Sequence, residues 1–140
     1  MKNFKDKVVV VTGAASGIGL ALAREALRRN ARVVMADIRA DALKEAAKDL
    51  PADDILTVVC DVADAKAVDA LADAAVRRFG KVNLVVNNAG VFASGLTWEV
   101  SAAEYDWVIA VNQRSVINGI RAFVPRMIAQ KDACHVVNIA

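Results

Sequence analysis

Short apolar runs rich in β-branched residues recur along the chain, and between them lie alanine-rich stretches with helical spacing. The apolar runs are Val8–Val11, 32–36, 55–60, 84–86 and 134–139. Each is apolar over most of its length, with Arg32, Thr57, His135 and Asn138 the exceptions, whereas a half-exposed strand would alternate between apolar and polar residues. Between the first two, Leu20, Ala23 and Leu27 in the segment 18–29 mark one face of a helix. Further helices are expected over 41–50, stopped by Pro51, and over 64–79, closed at Gly80. Ser101 and Glu104 have the spacing of a capping box and open a long helix to about Gln130, with a kink expected at Pro125. This β-α-β-α-β-α-β-α-β order predicts an α/β fold whose parallel sheet is covered on both faces. With 140 residues and no linker or repeat, residues 1–140 are expected to form a single domain.

Composition narrows the partners. Lys and Arg number 18 against 16 Asp and Glu, and the basic residues are scattered. Arg28-Arg29 and Arg77-Arg78 fall at expected helix ends, where the helix dipole favours cations. No basic stripe for nucleic acid results, and no run reaches the ~18 apolar residues of a membrane span. Lys2, Lys5 and Lys7 followed by an apolar stretch loosely imitate a signal peptide. Asp6 interrupts that basic region, however, and Gly13, Ser16, Gly17 and Gly19 break the apolar stretch. Cys60 and Cys134 sit in apolar runs and read as buried free thiols, and a cytoplasmic location is expected. One His and two distant Cys do not assemble an ordinary zinc site.

The first chemistry lies in "VVVVTGAASGIG", where Gly13, Gly17 and Gly19 fall at the turn from the first strand into the first helix. Glycine there permits a tight turn and brings backbone N–H groups close to a pyrophosphate. The helix N-terminus adds roughly half a positive charge, and Ser16 offers a further hydrogen bond. A plain tight turn is the alternative, but a strand before and a helix after favour dinucleotide binding. Asp37 ends the second strand, close to where an acid meets the adenosine ribose. Its carboxylate would accept from both ribose hydroxyls and repel a 2′-phosphate, favouring NAD over NADP. Arg39 nearby would soften that preference. Otherwise Asp37 is an ordinary acid capping the next helix.

At these residues the sequence resembles the short-chain dehydrogenases/reductases. "TGAASGIG", Thr12 to Gly19, is similar to that family's cofactor loop, including its G-x-x-x-G-x-G spacing. "CDV" after the third strand, "NNAG" after the fourth and "VNQRS" within the long helix match further motifs in the same order. The resemblance implies a Rossmann-type doubly wound parallel sheet of strand order 3-2-1-4-5, cut short before the family's last strands. It implies an NAD(P) site formed by Gly13, Ser16, Gly17, Ile18 and Gly19, with Asp37 and Ile38 at the ribose. Asp61 would meet the adenine amino group and Val62 its ring. Asn88 would tie adjacent strands together, while Ala89 and Gly90 lie against the cofactor's ribose. Asn112 takes the place of the catalytic asparagine, a role that would explain an amide at an unfavourable mid-helix position.

The implied reaction is hydride transfer between the nicotinamide and a small alcohol or ketone. A tyrosine hydroxyl acts as general acid/base beside a lysine, a serine holds the substrate oxygen, and the asparagine positions a water. In the family the serine and the Tyr-x-x-x-Lys pair follow the strand that here reads "VVNIA". These residues hold Asn112 alone of that set, because Tyr105 is followed four residues on by Ile109. Tyr105 reads instead as a packed helix residue. The 140-residue chain by itself is therefore expected to carry the cofactor site without turnover. A non-catalytic dinucleotide-binding module and an inactive gene fragment are the alternatives. Strand five is expected to be a bare edge, and the long helix 101–130 to expose an apolar face bearing Trp107, Val108, Val111 and Ile120. Pairing of copies through that helix follows as an expectation.

Overall fold

The computed structural model describes residues 3–140, so Lys2 of the basic N-terminal stretch lies outside it. Strands β1 (Val8–Thr12), β2 (Arg32–Asp37), β3 (Ile55–Val59), β4 (Leu84–Asn87) and β5 (His135–Asn138) form one parallel sheet in the order β3-β2-β1-β4-β5. Helices α1 (Gly17–Arg28) and α2 (Ala40–Ala47) cover one face. They pack over Val9, Val11, Val33 and Met35. Helices α3 (Ala65–Phe79) and α5 (Ser115–Ala129) cover the other, over Val8, Val10, Val34 and Val85. Successive valines of β1 thus point into opposite cores. Both sides of the strand are buried, and for that reason it carries no polar alternation.

The long helix differs from its expected form. Ser101 and Glu104 do make the capping box that opens α4 (Ala102–Ile109). A π-helical turn, Ala110–Arg114, then separates α4 from α5, so one continuous helix becomes three segments. Pro125 lies inside α5, and the helix runs on past it to Ala129. A π turn adds a residue to the repeat and re-aims side chains, and such turns collect at functional sites. Here it surrounds Asn112.

Two further expectations are corrected. Cys134 is half-buried rather than buried and precedes β5, its Sγ lying beside Gln130. Tyr105 is exposed rather than packed, and its hydroxyl donates to the Thr97 carbonyl at 2.9 Å. On the long helix Trp107 and Ile120 are exposed, while Val108 and Val111 are half-buried. β5 is a sheet edge. Among the described residues no helix is long and apolar enough to cross a membrane.

The N-terminal ends of β1, β4 and β5 are joined through Asp132. Its carboxylate accepts from Lys7 Nζ at 3.0 Å, Lys81 Nζ at 3.3 Å and Asn83 Nδ2 at 2.9 Å. Asn83 is fully buried, and its Oδ1 accepts from the Val8 N–H. The Lys7 ammonium first, then Asn83, the Ala133 N–H and Lys81, hold the Asp132 carboxyl well below the usual carboxylate range. A depressed folded-state pKa stabilises above the unfolded value of about 4, and that contribution is lost as pH falls through the folded value. Asp132→Asn should therefore lower the melting temperature at pH 7, and the gap from wild type should narrow below about pH 4. Melts of both proteins across that range check it, and a gap constant with pH would rule out the charge as the cause.

Candidate functional site

A cleft of about 680 Å³ opens across the C-terminal ends of β1, β2, β3 and β4. In an open parallel sheet this end collects the loops, and a crevice forms where neighbouring crossovers run to opposite faces. Here β1 lies between β2 and β4: the β1–β2 crossover through α1 covers one face, and the β3–β4 crossover through α3 covers the other. The cleft brings together Gly13, Ser16, Ile18, Asp37, Ile38, Asp61, Val62, Asn88, Ala89 and Gly90. Gly17, Gly19 and Asn112 do not line it directly; they shape what does.

The glycine loop shows why those positions take no side chain. Gly13 and Gly17 have φ of 65° and 54°, in the left-handed region that glycine enters at little cost. A Cβ on Gly17 would meet nothing within 4 Å, so the backbone there faces open space. Gly19, in the first turn of α1, has no such room: a Cβ would stand 2.2 Å from the Gly13 carbonyl oxygen and 2.6 Å from Asn88 Nδ2. Ser16 occupies the N-cap of α1, yet its side chain caps no N–H of the first turn. The first-turn N–H groups thus point out of the helix with no side-chain cap. Open space beside Gly17, these N–H groups and the positive helix end together fit a pyrophosphate.

Thr12 and Asn88 knit this loop to the next one. Thr12 Oγ1 accepts from the N–H groups of Asn88 and Ala89 at 2.9 and 3.0 Å. Asn88 Nδ2 donates to the Thr12 carbonyl at 2.8 Å, which ties the end of β1 to the end of β4. Thr12 belongs to the recognised motif, but its fastening role depends on a partner 76 residues away.

At the end of β2 the Asp37 side chain is only 5% exposed. Its Oδ2 accepts from the Ala15 N–H at 3.0 Å, and its Oδ1 from the Arg39 N–H at 3.0 Å and Arg39 Nε at 3.2 Å. Burial pushes this carboxyl up, but the hydrogen bonds from Arg39 and Ala15 outweigh it and hold the group below its ordinary value. Arg39 Nη2 also donates to Ser16 Oγ at 2.8 Å, so its guanidinium bridges β2 and the glycine loop. That bridge was not legible from Arg39's position. Exposed Ile18 and Ile38 stand at the rim.

The third wall follows β3. Asp61 Oδ1 accepts from the Ala63 N–H at 2.9 Å, a tight turn that fixes the carboxylate beside buried Val62. Cys60 lines the cleft too, and burial, with Asp61 and Asp64 adding to it, pushes its thiol up to about 11. The thiol is therefore protonated and inert at neutral pH. At the other end, Asn112 grips Val91 from the π turn: Nδ2 donates to the Val91 carbonyl and Oδ1 accepts from its N–H, both at 2.8 Å. One Nδ2 hydrogen and one Oδ1 lone pair remain for another partner. Trp107 and Val111 close that side, and helical periodicity alone did not mark them as cleft residues.

The family model described as short chain dehydrogenase matches residues 7–140. The chain is 34% identical over its whole length to a CLA biosynthesis dehydrogenase/reductase of Lactiplantibacillus plantarum, of which it covers 50%. A crystal structure of a short chain dehydrogenase/reductase from Burkholderia phymatum, in complex with NAD, superposes with a TM-score of 0.95 at 44% identity. That match covers 99% of this chain and 50% of the other. The 3-ketoacyl-(acyl-carrier-protein) reductase of Brucella melitensis, complexed with NADH, follows with a TM-score of 0.93 at 32% identity, over 99% of this chain and 58% of that one. The chain spans about half the length of the curated relatives it matches.

Proposed function

The chain belongs to the short-chain dehydrogenase family, and from that premise we propose that it carries the NAD site of an oxidoreductase acting on an alcohol or ketone. When bound, the nicotinamide supplies the hydride donor or acceptor. The backbone of Gly13–Gly19 and the first turn of α1 hold the pyrophosphate. Asp37 accepts from the adenosine ribose hydroxyls, Asp61 takes the adenine amino group, and Val62 and Ile38 offer apolar surface to the ring. Ala89 and Gly90 lie along the second ribose. Asn112 fastens Val91 and uses its free hydrogen and lone pair to hold a water in the proton relay.

What supports this reading above all is the position of Asp37, a buried ionised carboxylate at the tip of β2 that lines the cleft beside the glycine loop and accepts from its Ala15 N–H. A 2′-phosphate would meet that charge, and hence NAD is preferred. The test is fluorescence titration of NADH and NADPH: saturable binding, tighter for NADH, is expected. A flat titration would end the cofactor reading, and tighter NADPH would end the choice of NAD. A polypeptide of these 140 residues alone is proposed to bind without turnover, since Asn112 is the one relay group it supplies. The face of α5 bearing Ile117 and Ile120 is where we place contact between copies, and the two free thiols suit a reducing cytoplasm.

A further inference from the structure

Resting on that cofactor reading, we propose that Asn118 is a positioning residue for the adenine side of the cleft. Asn118 lies on α5, away from every recognised motif, and is 8% exposed. Its Nδ2 donates to the Val62 carbonyl at 3.0 Å and the Ala63 carbonyl at 3.3 Å. Among the described residues it is the only side chain that donates to either. These carbonyls belong to the turn that carries Asp61 and Val62 into the cleft, whose other braces are the Ala63 N–H on Asp61 Oδ1 and the Asp64 N–H on the Asp61 carbonyl at 3.1 Å.

The choice of an amide is informative. The buried face of α5 also carries Gly119, Ala122, Phe123 and Met127, and Ser115, which bonds back to the Val111 carbonyl within the helical run. An apolar side chain at 118 would fill the space, and asparagine is a poor residue for a helix interior. What an apolar residue lacks is the pair of hydrogens that cancel two consecutive inward carbonyls. Without them the turn would rotate those carbonyls toward water and carry Asp61 and Val62 out of register with the ring they face.

The variants are Asn118→Leu, which keeps the branched shape at somewhat greater bulk and removes the donors, and Asn118→Ala, which removes the donors with no steric demand. Amide hydrogen exchange of the ligand-free protein should speed up roughly tenfold at Ala63 while the β1 amides Val9–Val11 keep their rates. ADP-ribose should bind roughly tenfold more weakly, and reduced nicotinamide mononucleotide with unchanged affinity. Unchanged exchange at Ala63, or equal weakening of both half-cofactors, overturns the proposal, because a merely structural amide would affect the two halves alike. Failure of the unmodified protein to bind ADP-ribose overturns the cofactor reading, and this inference with it. Normal wild-type binding with unaffected variants overturns the inference alone.

Discussion

Gly19→Ala is expected to abolish measurable NADH binding and to lower the melting temperature sharply. The added methyl carbon would lie 2.2 Å from the Gly13 oxygen, 2.8 Å from the Gly13 carbonyl carbon and 2.6 Å from Asn88 Nδ2. Two of these three atoms are backbone in a loop whose φ at Gly13 is already 65°, so the loop cannot yield by rotating a side chain. Overpacking a well-filled site costs about 1–3 kcal/mol and occasionally more. Clashes with backbone place this substitution at the upper end. Function suffers beyond stability, because relief of the clash pushes Gly13 and Asn88 apart. Their hydrogen bonds hold the glycine loop against the end of β4. Gly17→Ala gives the contrast: there the methyl group meets nothing within 4 Å, and the cost is limited to a φ of 54°. Its melting temperature should fall by clearly less. Paired thermal melts and NADH titrations check both, and a Gly19→Ala protein that binds like wild type would show that the loop is not held as described.

Asp37→Ala should weaken NADH about 100-fold and leave NADPH equal or better. Two charge-assisted hydrogen bonds to ribose hydroxyls disappear, each worth about 1.5–3 kcal/mol before water competes for the same groups. A net loss near 3 kcal/mol corresponds to about 100-fold. The guanidinium of Arg39, released from Asp37, becomes free to meet a 2′-phosphate. Arg39→Ala should do the reverse. It frees Asp37 Oδ1 of Nε as a donor and so keeps or tightens NADH, while NADPH loses the one basic side chain that lines the cleft among the described residues. The pH dependence has a definite sign. Because the folded-state pKa of Asp37 is lowered, the carboxylate is charged above its ordinary value of about 3.9 and loses charge only as pH falls through the lower folded value. NADH affinity should consequently be flat from about pH 5 to 9. A fall of affinity on acidification within that window would show that Asp37 is not the group that selects the ribose.

Much of this site was readable along the chain because its parts are local. The strand-turn-helix of residues 8–28 needs only apolar β-branched residues, then glycines, then a helical stripe, and each signal lies within a few positions of the next. Asp37 was found the same way, as the residue where an apolar strand stops. Asn112 was singled out by the resemblance of "VNQRS", and a mid-helix amide in conflict with local preference agrees with it. The π turn around it was not foreseen: it accompanies a grip on Val91, 21 residues earlier, and no helical pattern records that contact. Pro125, the one local signal for a kink, lies inside α5, a helix that packs against α3 and β4.

The sequence by itself determined the alternation of strand and helix, the location of the glycine turn, and the acid that follows it, since each rests on steric and solvation preferences of neighbouring residues. The tertiary structure alone decided which groups meet. Arg39 lies between Asp37 and Ser16, Thr12 holds Asn88 and Ala89, and Asn118 reaches the carbonyls of Val62 and Ala63. The last two contacts join residues more than fifty positions apart, and a hydrogen bond of 3 Å depends on where both partners are carried by the packed sheet and helices. Separation along the chain holds no information about that distance until the core has closed.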